Sequence, residues 1–159
     1  MGNIQTNRNK RRPEMFEKIL FPTDFSDVAR KALSFVKRLK EAGGEEVTLL
    51  HVIDQSNLET LSSIRTVPDY LTIEKDLEDR AAEEIKLIEN ELKEIGYKVT
   101  TRIEKGFPLR EVLKVAGEEP SYIIVMGSHG KSNIQEMLLG SVSEKVVRKA
   151  KNPVLVVKR

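Results

Sequence analysis

Five stretches of the chain carry the apolar patterning of β-strands. Two of them, Val47 to Ile53 and Tyr122 to Met126, are almost wholly apolar, which is typical of strands buried on both faces of a parallel sheet. Phe16 to Phe21 and Val154 to Val157 are shorter apolar runs, whereas Tyr97 to Glu104 alternates and contains β-branched residues. We therefore predict five strands, with the alternating strand in a peripheral position.

Four segments between these strands repeat apolar residues at helical spacing. They predict helices from Ser26, as the N-cap, to Leu39, from Thr72 to Ile95, from Pro108 to near Gly117, and from Ser141 to Ala150. Residues 54–68 are polar and follow neither period, so we expect irregular structure there.

Strands that alternate with helices predict an α/β fold: a three-layer, doubly wound, five-stranded parallel sheet with helices on both faces. The expected strand order is 3-2-1-4-5, which places the first and fourth strands side by side. Ligands of such sheets bind beyond the carboxyl ends of the strands, at the point where the strand order reverses. Pro22, Thr23 and Asp24 follow the first strand and Gly127 follows the fourth, so both segments should meet at one crevice.

The segment after the fourth strand is rich in small residues. Gly127, Gly130, Gly140 and Ser141 are spaced as Gly-x2-Gly-x9-Gly-Ser, and Ser141 with Glu144 fits a capping box at a helix start. Glycine lets the backbone approach a phosphate, and unpaired amides at a helix start point toward it. The alternative is that these glycines only form turns. We favour a site for a phosphate-bearing ligand.

Composition excludes several classes of protein. The 159 residues include no cysteine, so neither a disulfide framework nor a thiolate metal site is possible. No run approaches the roughly 18 to 20 apolar residues that span a bilayer, and no signal-peptide core follows the start, so we expect a cytoplasmic protein without membrane partners. The formal charge is +2, but residues 1–14 carry +3, which leaves −1 for residues 15–159. A nearly neutral body gives no sign of a nucleic-acid-binding surface.

Residues 1–14 are polar, basic and without apolar periodicity, and we interpret them as a flexible tail before a domain of residues 15–159. Two more specific functions are compatible with the residues of this segment. Met1-Gly2 with Thr6 matches a myristoylation pattern, with the basic cluster as a second membrane signal. Alternatively, the cations from Arg8 to Arg12 contact nucleic acid without sequence specificity. We favour a solvated extension or a misplaced start, since Met15 directly precedes the first strand.

Residues 16–159 resemble a universal stress protein of the ATP-binding kind. The matching segments are PTDFS at Pro22–Ser26, LLHVID at Leu49–Asp54, MGSHGKS at Met126–Ser132, LLGSVSEKVV at Leu138–Val147 and NPVLVV at Asn152–Val157. The glycine spacing is that of the family's nucleotide-binding signature. One departure is Asn133, where relatives often carry glycine.

The resemblance implies an adenine-nucleotide site, with ATP or AMP as ligand. By position, Pro22, Thr23, Asp24 and Val52 would frame the adenosine, and Met126 and Gly127 would lie beside the ribose and first phosphate. The residues that would hold the phosphates are His129, Gly130, Gly140, Ser141, Val142 and Ser143. From its chemistry alone, the Asp24 carboxylate can accept from an adenine amine or a ribose hydroxyl.

Three further features of the sequence resemble other kinds of site. Gly130-Lys131-Ser132 is not a P-loop, because Val125 stands where that motif needs glycine. His51 lies within an apolar strand and is expected to bond backbone rather than a ligand. With two histidines and no cysteine in the sequence, we predict no metal site built from protein side chains. A Mg²⁺ or Mn²⁺ ion held mainly by nucleotide phosphates and water is compatible with the sequence.

The sequence offers no evident catalytic residue beside the phosphate site. We therefore expect a nucleotide-binding switch or stress-response signalling module, with slow ATP hydrolysis at most. The alternative is an ATP-hydrolysing or adenylyl-transferring enzyme of the same broad fold. Adenylating enzymes carry a Ser-Gly-Gly loop where this chain has Pro22-Thr23-Asp24. A phosphoacceptor receiver domain needs clustered aspartates, of which Asp24 and Asp54 supply only a part.

The last strand predicts a homodimer. Val154 to Val157 is apolar at every position, yet it lies at the sheet edge in the expected order. Exposed apolar edge strands are normally covered or paired, and a two-fold axis would pair two copies antiparallel. The family resemblance implies the same arrangement. The alternative is a monomer whose own helices shield this edge.

Overall fold

The structure, a computed structural model, describes residues 16–64, 70–130 and 139–159. Its strands are β1 (Lys18–Pro22), β2 (Glu46–Asp54), β3 (Lys98–Gly106), β4 (Tyr122–Gly127) and β5 (Val154–Val157). Its helices are α1 (Asp27–Leu39), α2 (Gln55–Ile64), α3 (Tyr70–Glu94), α4 (Pro108–Glu118) and α5 (Ser141–Lys149). The tail predicted for residues 1–14, with Met15, lies outside the described residues and stays a prediction.

The strands form one parallel sheet in the order β3-β2-β1-β4-β5, so the predicted topology is confirmed. β1 pairs with β2 on one side and with β4 on the other. The alternating strand β3 lies at one edge, as expected from its pattern, and the apolar strand β5 lies at the other.

Two hydrophobic clusters cover the two faces of the sheet. Ile19 and Phe21 of β1 pack in the first cluster, against α1 and α3, whereas Leu20 between them packs in the second, against α4 and α5. β4 alternates in the same way, with Val125 in the first cluster and Met126 in the second. This period-2 alternation within an unbroken apolar run is what a strand with helices on both faces requires.

The expectation of irregular structure over residues 54–68 is wrong for its first part, which forms α2. The Asp54 carboxylate accepts hydrogen bonds from both the backbone amide (3.0 Å) and the hydroxyl (2.6 Å) of Ser56, which stabilises the first turn. Leu58 is buried and supplies the apolar contact. The stretch contains few apolar residues, so no helical period stands out in the sequence. Residues 65–69 lie outside the described residues.

No helix in the described part of the chain is long and apolar enough to cross a membrane.

The first turn of α1 lies directly against the end of β4 at Gly127. A Cβ atom at Gly127 would lie 3.0 Å from Val28 Cγ1 and 3.2 Å from the Ala29 amide nitrogen. Ser26 caps the same turn, as predicted, because its hydroxyl accepts from the Ala29 amide at 3.2 Å. Glycine at position 127 is therefore required for close packing of α1 on the sheet.

Gly127→Ala should lower the free energy of unfolding by about 1–3 kcal/mol, because the added methyl group pushes against the backbone of α1. Gly117, in α4, is a matched control, since a Cβ there meets no atom within 4 Å. Gly117→Ala should be neutral or stabilising by up to about 1 kcal/mol. Urea unfolding of both variants measures the difference. Equal stabilities of the two variants would contradict the packing role of Gly127.

Candidate functional site

The turn after β1 is stabilised by hydrogen bonds between its own side chains and its backbone. Thr23 continues the sheet, donating its amide to the Leu50 carbonyl at 2.9 Å, and is buried. Its hydroxyl oxygen accepts from the Phe25 amide at 3.1 Å, and the Asp24 carboxylate accepts from the Ser26 amide at 3.1 Å. These bonds fix Asp24 at the carboxyl end of β1, beside β4.

Phe25 has a backbone conformation that few side chains adopt. Its φ of 62° makes it the one non-glycine residue with positive φ among residues 16–64, 70–130 and 139–159. Such a conformation costs on the order of 1–3 kcal/mol and persists where the surroundings impose it. It turns the chain sharply between Asp24 and the start of α1. No feature of the sequence indicates this conformation, since phenylalanine is not a residue that favours it.

Phe25 is held by His51, on the neighbouring strand β2. The two rings stack with centroids 4.3 Å apart and planes 25° apart. His51 Nδ1 donates to the Thr23 carbonyl at 2.9 Å. The prediction that His51 bonds backbone is therefore confirmed, although its ring is only partly buried. Its position in the sequence does not indicate that it stabilises the turn that carries Asp24.

Ser128, the first residue after β4, joins three elements through its backbone. Its amide donates to the Val157 carbonyl of β5 at 2.8 Å, and its carbonyl accepts from the Gly140 amide at 2.7 Å and from the Ser143 hydroxyl at 2.6 Å. Ser128 is 1% exposed. The start of α5 is therefore held against the loop that leaves β4. Ser128 is not among the predicted site residues, because nothing in its type or spacing distinguishes it.

The N-cap of α5 is Gly140, not Ser141. The Glu144 amide donates to the Gly140 carbonyl at 2.9 Å, so Ser141 is already the first helical residue, and no side chain caps the helix. The predicted capping box of Ser141 with Glu144 is therefore wrong, because Gly140 is the N-cap and has no side chain. The amides of Ser141, Val142 and Ser143 precede the first intrahelical bond and have no carbonyl within the helix to donate to.

Gly140 is required here by space rather than by conformation. Its backbone is extended, with φ −73° and ψ 162°. A Cβ atom would lie 3.3 Å from both His129 Cα and the Ser128 carbonyl oxygen. Only a residue without a side chain lets the start of α5 come this close to the loop.

The two segments expected to meet at the crevice do so at Asp24 and Gly130. A Cβ atom at Gly130 would lie 2.7 Å from Asp24 Oδ2, so this carboxylate oxygen lies directly over the glycine. Next to it, His129 is partly exposed, and its Nδ1 lies 2.9 Å from the Ser128 hydroxyl. Lys131, Ser132 and Asn133 lie outside the described residues.

The apolar members of the predicted site lie on the α4 and α5 side of the same edge. Val52 is partly buried and packs against the second cluster, to which Met126 also belongs, 7% exposed. Pro22 ends β1, paired in register with Leu50. Val52 and Pro22 therefore present partial apolar surface near the crevice, whereas Met126 offers little.

The arrangement suits an anion more than a cation. Helix-start amides attract negative charge, and the loop glycines allow close backbone approach. Among the residues that the structure describes, no three His, Cys, Asp or Glu side chains are grouped to hold a metal ion.

The chain matches a known protein family along nearly its whole length. The profile of the Universal stress protein family matches residues 15–158. Universal stress protein MJ0577 of Methanocaldococcus jannaschii is 42% identical over 156 residues, covering 91% of this chain and 96% of that protein. The solved structure of MJ0577 has a TM-score of 0.80 at 44% identity, covering 91% of this chain and 97% of the other.

Two more distant structures share the fold. A universal stress protein in complex with cAMP has a TM-score of 0.59 at 21% identity, covering 90% of this chain and 97% of the other. A family protein of Arabidopsis thaliana with AMP bound has a TM-score of 0.53 at 18% identity, covering 89% and 91%. The family profile and the 42% identity over nearly the full length of both chains lead to one conclusion: the chain belongs to the universal stress protein family.

Proposed function

We propose that this protein binds an adenine nucleotide, ATP or AMP, in the crevice between β1 and β4, and acts as a switch or stress-response signalling module. One observation carries the proposal: the Ser128 carbonyl holds the first residues of α5 against the loop after β4, by bonds of 2.7 and 2.6 Å. Three helix-start amides and two glycines thereby share one corner at the carboxyl edge of the sheet.

The phosphates would lie at that corner. The amides of Ser141, Val142 and Ser143 donate to phosphate oxygens, and Gly130 and Gly140 leave room for the backbone to approach. The Ser143 hydroxyl is already used, since it donates to the Ser128 carbonyl at 2.6 Å. Ser143 would therefore contribute its amide to the ligand.

The nucleoside would lie toward β1 and β2. Asp24 is placed to accept from a ribose hydroxyl or the adenine amine, since an ionised carboxylate accepts several hydrogen bonds. Thr23 keeps Asp24 in place, and Pro22 and Val52 supply apolar surface for the base. The family structures with cAMP and with AMP support an adenine nucleotide as the class of ligand.

A divalent cation would enter with the nucleotide. Mg²⁺ retains several waters and is commonly bound through substrate phosphates with few protein ligands. Mg²⁺ or Mn²⁺ held mainly by the phosphates would fit this corner.

Gly140→Val should abolish measurable nucleotide binding or weaken it by about tenfold or more, because the branched side chain displaces the loop from the helix start. Loss of one hydrogen bond to a charged group, about 1.5–3 kcal/mol, is enough for this change. Calorimetric titration with ATP and with AMP measures it. Gly117→Val, with the same substitution in open space on α4, should keep wild-type affinity.

Both variants need to be folded for this comparison, which circular dichroism checks. Wild-type affinity in a folded Gly140→Val protein would contradict the proposed phosphate site.

Ser128 and His129 resemble a nucleophile with its base. The side chains lie 2.9 Å apart, but Ser128 is 1% exposed, so its hydroxyl is not accessible to a substrate. We therefore propose binding with little turnover rather than an ATP-hydrolysing or adenylyl-transferring enzyme.

Steady-state ATP hydrolysis should run far below the rate of about 10 per second that is typical of enzymes. Phosphate release by the purified protein, in the presence of Mg²⁺, is the measurement. A rate near that value, lost in His129→Ala with nucleotide affinity intact, would show that His129 is catalytic and that the enzyme alternative is correct.

We also propose a homodimer formed by β5. This strand is hydrogen-bonded to β4 on one side and is the outer strand of the sheet. Val154, Leu155 and Val156 are only partly buried within the single chain. Pairing with the same strand of a second copy about a two-fold axis would cover these side chains. It would also give the backbone N–H and C=O groups of the edge strand hydrogen-bond partners. Pro153 cannot donate a ladder hydrogen bond, and it would limit the pairing at one end.

Val156→Lys should convert the dimer into a monomer, because each copy would bring a charged side chain into an apolar strand pairing. Light scattering across a concentration series should give about twice the chain mass of 18.1 kDa for the wild type and the chain mass for the variant. Ile103→Lys, on the opposite edge strand β3, is the control and should stay dimeric. A monomeric wild type at high concentration would contradict the dimer.

A further inference from the structure

We propose that Lys158 contacts the terminal phosphates of the bound nucleotide and makes this site prefer ATP to AMP. The inference rests on the nucleotide site proposed above and assigns a cation to it that lies outside the glycine-rich segments.

Backbone hydrogen bonds place residue 158 beside the phosphate corner. Gly127 pairs in register with Val157, and the Ser128 amide donates to the Val157 carbonyl at 2.8 Å. Lys158 therefore leaves the sheet next to the loop that leaves β4, and adjacent strands are about 4.8 Å apart. From this backbone position, we infer that the long, flexible side chain of lysine can extend to the loop of His129 and Gly130.

The alternation along β5 indicates the face on which Lys158 lies. Leu155 and Val157 pack with the first cluster, on the α1 and α3 side, whereas Val154 packs with the second, on the α4 and α5 side. A period of two places Lys158 on the same side as Val154. That is the side on which α5 begins and on which the phosphates would lie.

The negative charge already present at this corner is unfavourable for a polyphosphate, so a cation there would strengthen nucleotide binding. The Asp24 carboxylate lies over Gly130 and opposes a polyphosphate, whereas Glu144, in the first turn of α5, forms an ion pair with Arg148 at 3.0 Å. Lys158 is exposed and forms no ion pair with any residue of the described part of the chain. Charge-assisted bonds between an ammonium and a phosphate are stronger than neutral ones. An ammonium at the outer end of the corner would favour the β- and γ-phosphates over the single phosphate of AMP.

Lys151 provides a matched control. It is also exposed and without an ion pair to a described residue, but it precedes β5 and therefore lies at the opposite, amino edge of the sheet. Replacing either lysine by glutamine changes the net charge equally, so any non-specific effect of charge should be the same for both.

The test is calorimetric titration of the full chain with ATP and AMP, with Mg²⁺ present, at two salt concentrations. Lys158→Gln should weaken ATP binding about three- to tenfold and change AMP binding by less than about twofold. The salt dependence of ATP binding should fall in the same variant. Lys158→Arg should restore ATP affinity, and Lys151→Gln should leave both ligands unaffected.

Equal losses for ATP and AMP in Lys158→Gln, or no loss for either, would overturn the inference while leaving the nucleotide site in place. The same loss of ATP affinity in Lys151→Gln would overturn it too, since the effect would then be one of net charge. A wild type that binds neither ligand would overturn the proposed function itself, and the role of Lys158 with it.

Discussion

The peptide group of Ser128 is the constraint on which the candidate site depends. Its amide ties the loop to β5, and its carbonyl holds the start of α5 through the Gly140 amide and the Ser143 hydroxyl. A buried carbonyl that accepts two short hydrogen bonds fixes the position of both donors, because leaving either unpaired would carry the cost of desolvation. The direction in which the helix-start amides point is therefore set by a residue that offers no accessible side chain.

On the other side of the crevice, a strained backbone conformation and ring stacking hold the turn after β1 in position. Phe25 adopts a positive φ that its side chain disfavours, and the ring of His51 holds it there while bonding the Thr23 carbonyl. Backbone strain of this kind concentrates at functional sites, where the surrounding structure imposes it. Asp24, between Thr23 and Phe25, is thereby placed over Gly130. Two turns, each fixed by its own hydrogen bonds, thus come within contact distance of one another.

The topology and much of the site's composition could be predicted, because both depend on patterns that survive in a linear sequence. Unbroken apolar runs such as Val47 to Ile53 identify central strands, and alternation with helices leaves few possible orders. What could not be predicted depends on single contacts. Helix α2 begins at an Asp54 cap, and Leu58 within it is buried. Helix α5 begins at Ser141 as predicted, but Gly140, with no side chain, takes the cap position that the pattern assigned to Ser141.

The central claim is that the helix-start amides and the glycine loop hold the phosphates of an adenine nucleotide. The most direct measurement is titration of the isotope-labelled protein with ATP, followed by amide chemical shifts. We expect the largest shifts at residues 128–130 and 141–143, with AMP affecting fewer of these amides than ATP. Shifts centred on the basic C-terminal end of α5 near Lys149, with the amides of residues 141–143 unmoved, would contradict the account.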